Sequence, residues 1–220
     1  MTGLADILPS LLEATLQTLT MVVVAVLFCV IFGLAIGSSL ALTSPQGIAP
    51  LRIVHQALAA FANISRSIPF LILIVLLLPL TRFLVGTSIG TAAAIVPLVI
   101  GGTPYAARLV EAALLDVDPG LMQAVVAMGA SPWQAVRKAY LPEAIPGLIR
   151  AFTVLAITMI NFSAMAGAVG GGGLGDLAIR YGYQRFRLDV LALCCIVLIV
   201  LVQVIQFAGN HLARKMDRRL

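Results

Sequence analysis

The chain has 220 residues, of which 61% are hydrophobic and 10% charged, with 14 Lys and Arg and a formal net charge of +5. A soluble domain carries about 25% charged residues, so this chain has too few to cover a water-facing surface, and a lipid bilayer must solvate most of it. The basic residues are dispersed along the chain rather than gathered in one run, which argues against nucleic acid and for cytoplasmic loops.

One span takes about 20 apolar residues, so the length allows roughly five. No Lys or Arg precedes Arg52. The N-terminus therefore lacks the basic region of a cleaved signal peptide, and its apolar run is expected to stay as a span. Residues 14–51 hold no Asp, Glu, Lys or Arg, and a charge at the bilayer centre costs about 2.5–3.5 kcal/mol on insertion scales. The apolar part, about Leu19 to Leu42, is the first predicted span, ended by the turn residues Thr43-Ser44-Pro45-Gln46-Gly47. The second runs from about Leu58 to Leu80, with Arg66 snorkelling near its end and Pro69 expected to kink it. Charge-free windows at 83–107, 151–175 and 190–213 supply the third, fourth and fifth spans.

Five spans place the termini on opposite sides. With the N-terminus outside, the inside receives Arg52, Arg66, Arg108, Arg137, Lys138, Arg150, Arg214, Lys215, Arg218 and Arg219. The outside receives Arg82, Arg180, Arg185 and Arg187. Excess basic residues lie inside, which favours N-out and C-in. Arg66 and Arg108 are placed to pair with Glu111 at the inner interface, although snorkelling explains Arg66 equally well.

The chemistry of enzymes is absent from the pattern. Cys29, Cys194 and Cys195 fall in apolar runs and read as small hydrophobes, with no metal-ligand spacing. His55 and His211 are far apart, and no nucleophile–base constellation is visible. No cofactor or metal is expected. A secondary transporter or channel working without ATP would be expected to place an acid or a broken-helix ion site in the membrane. The spans contain no mid-membrane Asp or Glu.

The longest inside connection runs from about Arg108 to Arg150. Asp118 is placed to cap a helix with Pro119 at its first position, and Ser131 with Pro132 repeats the arrangement. Gly129 falls where the first helix should stop, and Pro142 is expected to end the second. The segment from Asp118 to Pro142 thus reads as two short helices about an elbow. Leu121, Met122, Val125, Val126, Met128, Trp133 and Val136 make part of its surface apolar. Short helices are marginal in water unless packed, so either the bundle itself or a partner must receive them.

The spacing resembles the loop signature of bacterial ABC importer permeases: Glu-Ala-Ala, three residues, Gly, nine residues, Ile, one residue, Leu-Pro. Gln123, Ala124, Val125, Gly129, Ala139, Leu141 and Pro142 occupy those places. Ala124, Gly129, Leu141 and Pro142 match, while Gln123, Val125 and Ala139 depart. Asn63-Ile64-Ser65-Arg66-Ser67-Ile68-Pro69-Phe70, Val85-Gly86-Thr87-Ser88-Ile89-Gly90, the stretch Ser163 to Gly170 and Gln206-Phe207-Ala208-Gly209 look like the methionine importer subfamily, and the likeness covers roughly residues 15–215. It implies a bacterial inner-membrane complex of two permease copies, two ABC ATPase subunits and a periplasmic methionine-binding protein. It implies import of L-methionine, and of D-methionine as a further candidate, by alternating access. Gln123, Ala124, Gly129, Ala130, Leu141 and Pro142 would form the ATPase-coupling surface. The chain has no Gly-x-x-x-x-Gly-Lys-Ser/Thr motif, so ATP hydrolysis must belong to the partner. The alternatives are a permease for another amino acid and an ATP-independent secondary transporter.

For the substrate path, Asn161 lies 11 residues from Arg150, about 16 Å along a helix and near mid-membrane. It either lines the pathway or hydrogen-bonds a neighbouring helix. Met165 is four residues on, hence on the same face. The resemblance in Ser163-Ala164-Met165 implies that Met165 plugs the pore between two subunits, and makes Ser163 a third pore candidate beside Asn161 and Met165. Gly170 to Gly173 are expected to end the fourth span and form an extended or re-entrant outer segment. That segment is either a plain loop, a docking point for the binding protein, or part of the outer mouth. The expected architecture is a single all-α domain over 1–220. It is a polytopic membrane bundle of about five transmembrane helices with a two-helix cytoplasmic coupling loop at about 118–142.

Overall fold

A computed structural model describes residues 4–45, 47 and 49–217, with the side chains of residues 4–6, Met122, Val126 and Pro132 outside the described set. Gln46 of the first predicted turn and the basic Arg218 and Arg219 also lie outside it. Regular structure among the described residues is helical: α1 Leu4–Thr43, α2 Arg52–Ser67, α3 Phe70–Val85, α4 Thr91–Leu115, α5 Pro119–Ala127, α6 Pro132–Ala135, α7 Leu141–Ala168, α8 Gly173–Leu177 and α9 Leu188–Met216. π-helical turns at Val136–Tyr140 and Ala178–Tyr183 join α6 to α7 and follow α8.

Among the described residues, four helical stretches are long and apolar enough to cross a membrane: Ile7–Thr43, Thr91–Leu115, Trp133–Ala168 and Leu188–Met216. α2 and α3 supply a fifth only when taken together. Pro69 does more than the kink expected of it. A proline pushes the preceding residue out of helical backbone, so the chain breaks at Ile68. Pro69 itself then caps α3, its carbonyl accepting from the Leu73 N–H at 3.0 Å.

Two further boundaries differ from the sequence expectation. α1 has 40 residues, about 60 Å at 1.5 Å per residue and twice a hydrocarbon core of about 30 Å. The predicted Leu19–Leu42 span is only its later part. The hydroxyls of Thr15 and Thr20 donate to the Leu11 and Leu16 carbonyls one turn back, so these polar residues continue the helix rather than end it. The connection predicted from Arg108 to Arg150 shortens to Asp116–Ser131. α4 runs through Arg108, which pairs with Glu111 at 2.6 Å one turn on.

Pro142 does not end a helix; α6, the π turn and α7 are continuous from Trp133 to Ala168. The wider turn explains this. The Leu141 N–H donates to the Val136 carbonyl five residues back, and Pro142, with no N–H to give, sits where this register hands over to the α-helix.

The chain divides into two compact units, each assembled from separate segments. One unit comprises Met1–Phe28, Ile68–Gly102 and Ala156–Gln206. Its core includes Ile7, Ala14, Leu174, Leu177, Val190 and Cys194. Phe70 of α3 stacks on Phe162 of α7, with ring centroids 4.1 Å apart and planes within 6°. The other unit comprises Cys29–Ser67, Thr103–Leu155 and Phe207–Leu220. Its core is Ala41, Val110, Leu114, Val117, Ala135, Val136, Tyr140, Ala144 and Leu148. Here α1 meets α4 through small residues. A Cβ at Gly33 would lie 2.6 Å from the Ala106 Cβ, and one at Gly37 2.6 Å from the Val110 Cβ. This Gly-x-x-x-Gly groove lets two membrane helices approach backbone to backbone.

Candidate functional site

The elbow is built by three local devices. Asp118 Oδ1 accepts from the Gly120 N–H at 2.6 Å, capping α5. At the far end the Ala130 N–H donates to the Val125 carbonyl across Gly129 at 3.4 Å, and Gly129 has φ +79°. That six-to-one bond over a left-handed residue is a Schellman stop. The next helix opens with a reciprocal pair: the Gln134 N–H donates to Ser131 Oγ at 3.3 Å, and the Ser131 N–H donates to Gln134 Oε1 at 3.0 Å. This is a capping box. Ser131 was expected as a cap; Gln134 was missed, although Ser-x-x-Gln before a helical run is legible in the sequence.

The segment divides its apolar residues between its own bundle and solvent. Val136 is buried with Ala135 and Tyr140 against Val110, Leu114 and Val117, and Val125 packs half-buried on that cluster. Leu121, Met128 and Trp133 point outward, the last two 78% and 68% exposed. Met122 and Val126, expected on the same apolar surface, have side chains outside the described set. Gln123, Ala124 and Gly129 are exposed, Ala130 and Leu141 are half-buried, and Pro142 is exposed. The structure thus brings Gln123, Ala124, Gly129 and Ala130 together on one short helix and its stop. Leu141 and Pro142 follow beyond the π turn. The chain's own core holds one side of the elbow, and a mixed polar and apolar surface remains on the other.

At the other candidate site, Asn161 and Met165 lie one turn apart on α7 and both are exposed. Ser163 departs from them. It is buried, and its hydroxyl donates to the Ile160 carbonyl at 2.7 Å. Of the three pore candidates, two share a face and the third packs inward. Arg108 pairs with Glu111, whereas Arg66 sits over the Tyr105 ring at 5.4 Å.

The glycine run is not a plain loop. α7 stops at Ala168, and Gly170 and Gly172 take φ +86° and +80°. The chain then turns back into α8, whose Leu174 and Leu177 are buried. The Gly173 N–H donates to Gln17 Oε1 at 2.8 Å, and the Leu174 N–H donates to Thr18 Oγ1 at 2.9 Å. Side chains of α1 therefore supply the cap that Gly172 cannot. Gln17 and Thr18 were missed, because only a fold reveals a partner 156 residues away.

Residues 33–219 match the model of the family described as binding-protein-dependent transport system inner membrane component. The chain is 49% identical over 209 residues to the probable D-methionine transport system permease protein MetI of Vibrio cholerae, covering 95% of this chain and 93% of that protein. It is 46% identical over 178 residues to the methionine import system permease protein MetP of Bacillus subtilis, covering 81% and 80%. Among solved structures it is similar to a chain of the inward-facing MetNI methionine ABC transporter, with TM-score 0.96, 44% identity and coverage of 99% and 100%. An amino acid ABC transporter crystallised with histidines shares the fold, with TM-score 0.73 at 22% identity.

Proposed function

The chain belongs to the family of binding-protein-dependent transport system inner membrane components, and we propose on that footing that it forms the translocation pathway of a methionine ABC importer. The carrying observation is the near-complete likeness, in sequence and backbone, to a methionine transporter's permease. It favours methionine over another amino acid and ATP-driven import over a secondary transporter. The protein is a multi-pass membrane subunit, and ATP hydrolysis resides on a separate subunit. It works as a pair of permease copies with two ATPases, in a bacterial inner membrane. It receives substrate from a periplasmic methionine-binding protein, with the N-terminus outside and the elbow in the cytoplasm.

In the mechanism, the elbow is the coupling surface. Short helices transmit force only if fixed at both ends. The Asp118 cap, the Gly129 stop and the Ser131–Gln134 box fix it locally, and Ala135, Val136 and Tyr140 root it in the bundle. Leu121, Met128 and Trp133 are the apolar part offered to the ATPase. Trp133 leads without a break into α7, so motion of the ATPase reaches Asn161 and Met165 through one helix. Met165 seals the path, its thioether chain being flexible and apolar enough to pack reversibly against a second copy. Asn161 lines the path one turn away. Gln123 stands where related permeases carry an acid, so docking here relies on shape and apolar contact more than on charge.

A benzophenone tethered at Met128→Cys in the assembled complex tests the docking. It should crosslink to the ATPase subunit; crosslinking only to lipid or to the permease would overturn the coupling role. Met165→Ala should raise substrate-independent ATPase activity, and unchanged basal activity would remove the seal assignment.

A further inference from the structure

Thr18 is a hydroxyl, 2% exposed, in the middle of an apolar helix. Its neighbours Thr15 and Thr20 bond only their own backbone, but Thr18 Oγ1 accepts from Leu174 of α8. Gln17 is oriented for a matching task. Its Nε2 donates to Glu13 Oε1 at 3.2 Å, which leaves Oε1 facing the Gly173 N–H. α8 and the π turn that follows it span only Gly173–Tyr183 and would be marginal alone, and the first N–H groups of α8 need partners from outside. The fit is close: a Cβ at Gly173 would lie 2.6 Å from Thr18 Oγ1 and 2.8 Å from Met21 Cε.

α8 in turn lies against the back of α7. A Cβ at Gly175 would come within 2.6 Å of the Ala164 Cα, and one at Gly167 within 2.9 Å of the Gly175 Cα. Ala164 and Gly167 flank Met165. Contact therefore runs unbroken from Gln17 and Thr18 through α8 to the backbone that carries Met165.

We propose that Gln17 and Thr18 are positioning residues for the Met165 seal, acting through the α8 N-terminus; this rests on the reading of Met165 as the seal. Without either acceptor, an N–H of α8 loses its partner, α8 loosens on α7, and the Met165 side chain is no longer held at one depth and rotation.

The test uses the assembled permease–ATPase complex with Cys29, Cys194 and Cys195 replaced by alanine. Met165→Cys is introduced, or Phe83→Cys as an exposed control, and a small water-soluble methanethiosulfonate is the probe. Thr18→Val and Gln17→Met should each change the labelling rate at position 165 by about fivefold, the scale set by one unpaired buried N–H. Neither should alter the rate at 83, and Thr18→Ser should restore the original rate at 165. Unchanged rates at 165, or equal changes at both positions, would overturn the proposal. If Thr18→Val does not assemble, Gln17→Met carries the decision. Basal ATPase activity separates the two assignments. If Met165→Ala leaves it unchanged, the seal reading fails while labelling still decides the positioning. If Met165→Ala raises it, Thr18→Val should raise it alone and add nothing in the Met165→Ala background; an additive effect would count against positioning.

Discussion

Gly129 offers a clean perturbation, because conformation and space can be separated there. Its φ is +79°, and a Cβ built on it would meet nothing within 4 Å. Replacement by alanine therefore meets no clash among the described residues and tests backbone. An alanine in the left-handed region costs about 1–2 kcal/mol, which lowers the population of the native elbow by about 5- to 30-fold. Asparagine visits that region readily, and β-branched valine least of all. Methionine transported per ATP hydrolysed, measured in proteoliposomes, should fall in the order Gly129, Gly129→Asn, Gly129→Ala, Gly129→Val. Complex assembly should stay near normal, because the cost is confined to the elbow. Full coupling in Gly129→Val would refute the reasoning. Equal damage from Gly129→Asn and Gly129→Val would also refute it, since it would point to side-chain bulk against the ATPase.

Three further outcomes follow from the geometry. Ser131→Ala and Gln134→Leu should each weaken the start of α6 by about 1 kcal/mol, seen as faster amide exchange over residues 131–135, and the double variant should cost less than their sum. Gly37→Val, whose added carbon faces Val110 at 2.6 Å, should lower the thermal midpoint and the yield, whereas Gly86→Ala, with nothing within 4 Å, should show only the smaller penalty of its left-handed backbone. Arg108→Met should destabilise more than Arg108→Met/Glu111→Met, because it strands the buried Glu111 carboxylate without its partner; thermal unfolding of the detergent-solubilised complex decides this.

Composition and charge-free windows sufficed for the helical class and for a count of four to five spans, since the bilayer imposes length and apolarity on each span. The windows failed where helices carry polar residues satisfied locally. α1 extends past Thr15 and Thr20 because their hydroxyls bond back, and α4 passes Arg108 because Glu111 answers its charge. The elbow was legible because caps and stops act within five residues. Pro142 misled because a π turn, which no spacing rule signals, carries the helix through it. The cap on α8 and the Gly33–Gly37 groove were out of reach for a different reason: each depends on which distant helix lies opposite.

Uptake of labelled L-methionine by the permease reconstituted with ABC ATPase subunits and a methionine-binding protein is the direct measurement. It should depend on ATP, fall with Gly129→Val, and be displaced by unlabelled methionine but not by an equal excess of histidine or leucine. Uptake that persists without ATP, or that is displaced equally by those amino acids, would contradict a methionine importer driven through the Asp118–Ser131 elbow.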